Sequence, residues 1–93
     1  MDNIAIAQQL LEVAHTLEEK QVNLFRVRAY RRAAQIIRGL DRPVEDILAD
    51  AGRKALKELP GIGVSLSAKI ETLVRTGEFP PLKEEAGTLL VAV

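Results

Sequence analysis

The run LPGIGVSLSAKI, residues 59–70, holds the side chains best suited to chemistry. Lys69 is a lone amine among Leu, Ser, Ala and Ile. Such an amine can attack an aldehyde and form a Schiff base when it is neutral, a form that apolar surroundings and nearby cations favour. Helical spacing puts Ser65, Lys69 and Thr72 together beside an apolar stripe of Leu66, Ile70 and Leu73, so Lys69 stands at the boundary of core and solvent. The plainer reading is a lysine whose stem covers apolar surface while its ammonium reaches water. Just upstream, Gly61 and Gly63 follow Pro60. Glycine admits positive φ and lets another backbone come close. A glycine turn that opens a helix offers main-chain N–H groups near Gly61, Gly63 and Ser65, a natural anion site. Ile62, between the glycines, is expected to point back and fix the turn to the core. The plainer alternative is a simple connection between two helices. The turn lacks the G-K-[ST] ending of a P-loop. It also follows no strand and completes no G-x-G-x-x-G, which argues against a dinucleotide fold.

A second group of candidates is cationic. The chain of 93 residues has a formal net charge of zero, yet the charge is unevenly spread. Residues 1–20 carry four acids and one lysine, whereas residues 21–40 carry five arginines and no acid. Arg26, Arg28, Arg31, Arg32 and Arg38 form a local basic segment, the electrostatic footprint of a polyanion partner. A solvated helix face is the other reading. Arg26 and Tyr30, four apart, share one helix face, and Arg28, Arg31, Arg32 and Arg38 spread around the opposite side.

The elements that must position these groups read as all helical. Asp2 or Asn3 caps a first helix, with Ile6, Leu10, Val13 and Leu17 inward, ending near Lys20. Asn23 caps a second, which buries Tyr30, Ala33, Ala34 and Ile37 and stops at Gly39 after Arg38. Pro43 is expected as the first residue of a short third helix with Val44, Ile47 and Leu48, closing at Gly52. Residues 53–58 form another short helix with Ala55, Leu56 and Leu59 inward. After the turn at 60–63, a helix over 64–76 buries Leu66, Ile70, Leu73 and Val74, and Gly77 stops it. Pro80 and Pro81 can start a last helical turn. The expected fold is a compact bundle of four to five short helices with no strand, in one domain spanning 1–93.

In that order of elements, KELPGIGVSLSAKIETLVRTGEF resembles a helix-hairpin-helix DNA-binding motif, over about 53–76. Upstream, FRVRAYRRAAQII resembles the second helix of the N-terminal lyase domain of family X DNA polymerases, the polymerase beta group and its bacterial relatives. The two blocks stand in the order and at about the distance that domain requires, and the resemblance covers roughly residues 5–84. It implies binding to gapped, nicked or 5′-phosphate-bearing DNA in repair. It also implies a lyase activity in which Lys69 forms a Schiff base with the sugar of an abasic site. It places Arg26 and Tyr30 at the 5′-phosphate pocket. It lets main-chain carbonyls of Lys57, Leu59 and Ile62 hold a monovalent cation, Na+ or K+, with no other cofactor required. Ser65 stands where the family has a second, phosphate-assisting lysine, a departure that bears on the lyase chemistry more than on DNA binding.

Composition closes off other classes. Hydrophobic residues make up 47% of the chain, which supports a folded core. No run approaches the ~20 apolar residues of a membrane span, and no signal-peptide pattern opens the chain, so a cytoplasmic protein without membrane contact is expected. The absence of cysteine excludes disulfides and thiolate metal sites. His15 has no second ligand at metal spacing. Glu84 and Glu85 look like a solvated helix end, and no acidic cluster could hold the two metals of a polymerase. The apolar tail GTLLVAV departs from the family continuation, and residues 86–93 could pack on the first helix, contact another chain or mark the end of a fragment. The expected function is non-sequence-specific DNA binding through the hairpin and the arginine-rich helix, with Gly61, Gly63, Ser65, Arg26, Tyr30, Arg28, Arg31 and Arg32 as contacts. The alternatives are an abasic-site lyase acting through Lys69 and a protein–protein adaptor. DNA is the expected partner, and the reading is compatible with a further polymerase or nuclease domain or a protein partner.

Overall fold

A computed structural model describes residues 1–21 and 23–80. Among the described residues five helices follow one another: α1 (Asn3–Glu19), α2 (Leu24–Arg38), α3 (Val44–Ala51), α4 (Arg53–Lys57) and α5 (Val64–Thr76). The all-helical bundle expected from the sequence is what forms.

Local capping explains where the first two helices begin. Asp2 Oδ1 accepts the Ala5 amide at 2.8 Å, and Asn23 Oδ1 accepts the Phe25 amide at 3.0 Å. Each satisfies a first-turn N–H that has no partner inside its helix. α1 then buries Ile6, Ala7, Leu10, Val13, Ala14 and Leu17, and α2 buries Val27, Tyr30, Ala33, Ala34 and Ile37. Small residues on both facing stripes let the two helices pack closely, and this pair forms the main body of the domain. Burial of each large aliphatic side chain contributes about 1.5–3 kcal/mol. Gly39 ends α2 with a right-handed backbone, φ −89°.

Pro43 precedes α3 instead of opening it. Its ψ of 141° is extended, so it occupies the capping position and Val44 is the first helical residue. Proline has no side-chain acceptor with which to cap a helix. Asn3, far away in sequence, supplies one: its Oδ1 accepts the Val44 amide at 2.9 Å while its Nδ2 donates to the Arg42 carbonyl at 2.8 Å. One side chain thus joins the start of α1 to the start of α3.

Gly52, with φ 72°, separates α3 from α4. Leu56 is buried, whereas Ala55 and Leu59 are only partly so. Ile62 is enclosed at 2% exposure, as its place between two glycines implied. α5 buries Ser67, Ile70 and Leu73, while Leu66 and Val74 lie at the margin. The inward stripe is therefore rotated toward Ser67, whose hydroxyl donates to the Val64 carbonyl at 2.9 Å. A small residue there lets α4 and α5 approach, and its one polar group is satisfied locally. Gly77 closes α5 in the left-handed region, φ 80°. Pro80 is not helical, and the expected last turn from Pro81 and the apolar tail lie outside the described residues.

Candidate nucleic-acid interface

α4, the turn and α5 form a hairpin. Its geometry follows from two hydrogen bonds, Leu59 N–H to the Leu56 carbonyl at 3.1 Å and Ile62 N–H to the Leu59 carbonyl at 3.0 Å. Gly61 lies between them with φ 91°, a left-handed conformation that side chains rarely adopt. Gly63 is different. Its φ of −96° suits any residue, and a Cβ built there meets nothing within 4 Å. It takes the capping position of α5 without a side chain to offer. The first N–H groups of α5, beginning at Val64 and Ser65, therefore have no cap and no acceptor within the helix. Both residues are exposed. The aligned peptide dipoles of a 13-residue helix place partial positive charge at the same point.

Gly61 also fixes where this turn sits. A Cβ added to it would lie 2.6 Å from Ile36 Cδ1 and 2.9 Å from Arg32 Cδ. The turn therefore rests directly on α2, on the stem of one of its arginines. Two segments distant in sequence, the glycine turn and the basic helix, meet in one place.

The arginines of α2 do not act as one set. Arg32 lies under the turn. Arg28 and Arg32 border a groove of about 310 Å³ together with Phe25 and Ala29. Arg31 turns toward α1, where its guanidinium donates to Glu18 Oε1 at 2.7 Å. This ion pair is exposed on both sides and so is weak, and a phosphate would compete with Glu18 for the Arg31 guanidinium. Arg26 is partly buried one turn before Tyr30. Tyr30 itself is only 1% exposed, and its ring meets Phe79 edge-on with centroids 5.9 Å apart. Its expected place in the core is met. With so little of the ring exposed, contact between Tyr30 and a phosphate would need the ring to move from this seat.

Lys69 is partly buried, as its boundary position implied, and its Nζ donates to Ser65 Oγ at 2.9 Å. Val64, Ser65, Ala68, Lys69, Thr72 and Pro80 line a groove of about 430 Å³. The grouping of Ser65, Lys69 and Thr72 is thus met. Sequence reasoning missed Phe25, which is 79% exposed at the start of α2. The signal was its position outside the Tyr30–Ala33–Ile37 stripe.

Lys57, Leu59 and Ile62 belong to the hairpin, and the Leu59 carbonyl already accepts one amide. A carbonyl keeps a second lone pair for a cation. Neutral main-chain oxygens suit a singly charged ion better than a divalent one, which favours carboxylates. Among the described residues, no group of three or more His, Cys, Asp or Glu could hold a metal. His15 is exposed and lies 3.6 Å from Glu19, one turn along α1. No helix of the described residues is long and apolar enough to cross a membrane.

No curated protein matches the chain significantly. A family model described as a helix-hairpin-helix domain matches residues 1–79, and such domains commonly bind DNA. The match spans α1 to α5, so it takes in the basic helix as well as the glycine turn, and the chain belongs to the helix-hairpin-helix domain family.

Proposed function

We propose that the domain binds DNA without sequence specificity, at gaps, nicks and 5′-phosphate ends, in the manner of the N-terminal domain of a family X polymerase. The observation that carries this reading is the seating of Gly61 on Arg32 and Ile36, which joins the uncapped start of α5 to the basic helix. Main-chain N–H groups and arginines address phosphates, so affinity comes from the backbone and base sequence matters little. Arg26, one helical turn from Tyr30 on α2, takes the terminal phosphate. Arg28 and Arg32 add less specific contacts. A Na+ or K+ ion held by the carbonyls of Lys57, Leu59 and Ile62 would add positive charge at the turn. In a longer protein the domain would anchor a polymerase or nuclease on damaged DNA.

Affinity for gapped, nicked and intact duplexes, with and without the 5′-phosphate, tests this reading. Gly63→Val is the informative variant, because the fold has room for the side chain while an approaching phosphate does not. It should bind gapped DNA roughly tenfold or more weakly, the scale of losing hydrogen bonds to a charged group, with helicity unchanged. Arg26→Ala should lower the preference for a 5′-phosphorylated gap and flatten the log–log salt slope by about 0.7–0.9. Parental affinity in Gly63→Val would make the hairpin a plain connector.

The groove beside Lys69 supports a second reading, a 5′-deoxyribose-phosphate lyase. The neutral Lys69 amine would attack C1′ of the ring-opened sugar and lose water to give an imine. Removal of a C2′ proton would then break the C3′–O bond, with the phosphate as leaving group. Borohydride reduction on a 5′-sugar-phosphate substrate should trap a covalent adduct that maps to Lys69 and vanishes in Lys69→Ala with DNA binding intact. Absence of an adduct on DNA-saturated protein leaves a binding module.

A further inference from the structure

We propose that the cleft between α4 and α5 is a second phosphate site, which receives an internal phosphodiester of the same DNA strand that crosses the hairpin; this rests on the DNA-binding reading above. The cleft has a volume of about 300 Å³ and is lined by Arg53, Lys54, Lys57, Val64 and Ser67. Three of the five lining residues are cations, and they come from α4, outside the basic segment of α2. The nearest counter-charge is Glu71. Arg53 Nη1 stands 3.9 Å from Glu71 Oε1, too far for a hydrogen bond, so the pair is ionic only and the guanidinium keeps its donors for a ligand. Glu71 is meanwhile drawn to Arg75, 3.3 Å from its other oxygen. Among the described residues, no carboxylate lies within ion-pair distance of Lys54 or Lys57. The cleft is thus a concave site with surplus positive charge.

Its position specifies a strand as the ligand. Val64, 67% exposed, borders both this cleft and the groove of Lys69. The first turn of α5 is therefore a ridge with a basic hollow on each side and uncapped N–H groups on its crest. A lone phosphate would use one hollow. A sugar–phosphate backbone crossing the ridge uses both, with successive phosphates on either side of Val64. The hollow on the α4 side takes no chain end, because the terminal phosphate belongs to Arg26 on the α2 side.

The test is a salt titration of binding to 5′-phosphorylated gapped duplex by the parent, the double variant Arg53→Ala/Lys54→Ala, and the charge-keeping Arg53→Lys/Lys54→Arg. The alanine variant should bind roughly tenfold more weakly near 0.1 M salt, with a log–log slope flatter by about 0.9 for each phosphate that the protein no longer neutralises. The charge-keeping variant should recover most of that slope. The preference for a 5′-phosphate should stay at the parental value, in contrast to Arg26→Ala. An unchanged slope in the alanine variant, with Gly63→Val still impaired, overturns the second site alone. Parental binding in both overturns the DNA reading with it. A reduced 5′-phosphate preference in the alanine variant also overturns the proposal, since the cleft would then hold the strand end.

Discussion

Gly61→Val should destabilise the domain by about 2–5 kcal/mol, combining the strain of a left-handed backbone with overpacking. The strain arises at φ 91°, and the overpacking arises because the new side chain would press on Ile36 and the stem of Arg32. A domain of this size is stable by only about 5–14 kcal/mol, so the loss removes a large share of the total. Thermal unfolding should show a midpoint lower by about 10 °C or more. Gly63→Val is the control, two residues away with φ −96° and open space around it, and its midpoint should stay near the parent's. Equal midpoints in both variants would mean that the turn does not rest on α2. The pair separates two uses of glycine, one for folding and one for approach of a ligand.

Tyr30→Ala should cost about 3–5 kcal/mol, the range for truncating a large buried aromatic. The ring is 1% exposed and meets Phe79, so its removal opens a cavity in the core and loosens the segment after α5. DNA binding should fall with the folded fraction, and be regained where ligand or lower temperature restores folding. Tyr30→Phe removes only the hydroxyl and should cost about 1 kcal/mol. If Tyr30→Phe folds fully yet loses its preference for a 5′-phosphate, the hydroxyl reaches the ligand and the ring must leave its present seat. Denaturant unfolding followed by gapped-duplex binding measures both outcomes.

Local signals made most of the fold legible. Asp2, Asn23 and Gly77 act on the few residues beside them, so the ends of α1, α2 and α5 could be read directly. The stripes of α1 and α2 could be read because the two helices pack chiefly against each other. α5 touches more than one element, which made its inward face harder to fix. Periodicity pointed to Leu66, while the packing against α4 selects Ser67. The candidate site divides in the same way. The glycine turn and the boundary position of Lys69 are properties of short segments. The pairing of Arg31 with Glu18, the seat of Gly61 on Arg32, and the cationic cleft of α4 join residues that spacing alone cannot bring together.

The Asn3 clamp across α1 and α3 has a consequence for how the chain folds. An eight-residue helix has little stability alone, and α3 is preceded by a proline that cannot cap it. The acceptor for the Val44 amide arrives from 41 residues away, so the first turn of α3 is completed only once α1 has docked. α3 therefore draws its cooperativity from α1 instead of nucleating the bundle. In native-state hydrogen exchange, the Val44 amide should open together with the α1 interface, as one unit, and not with the solvent-facing turns of its own helix.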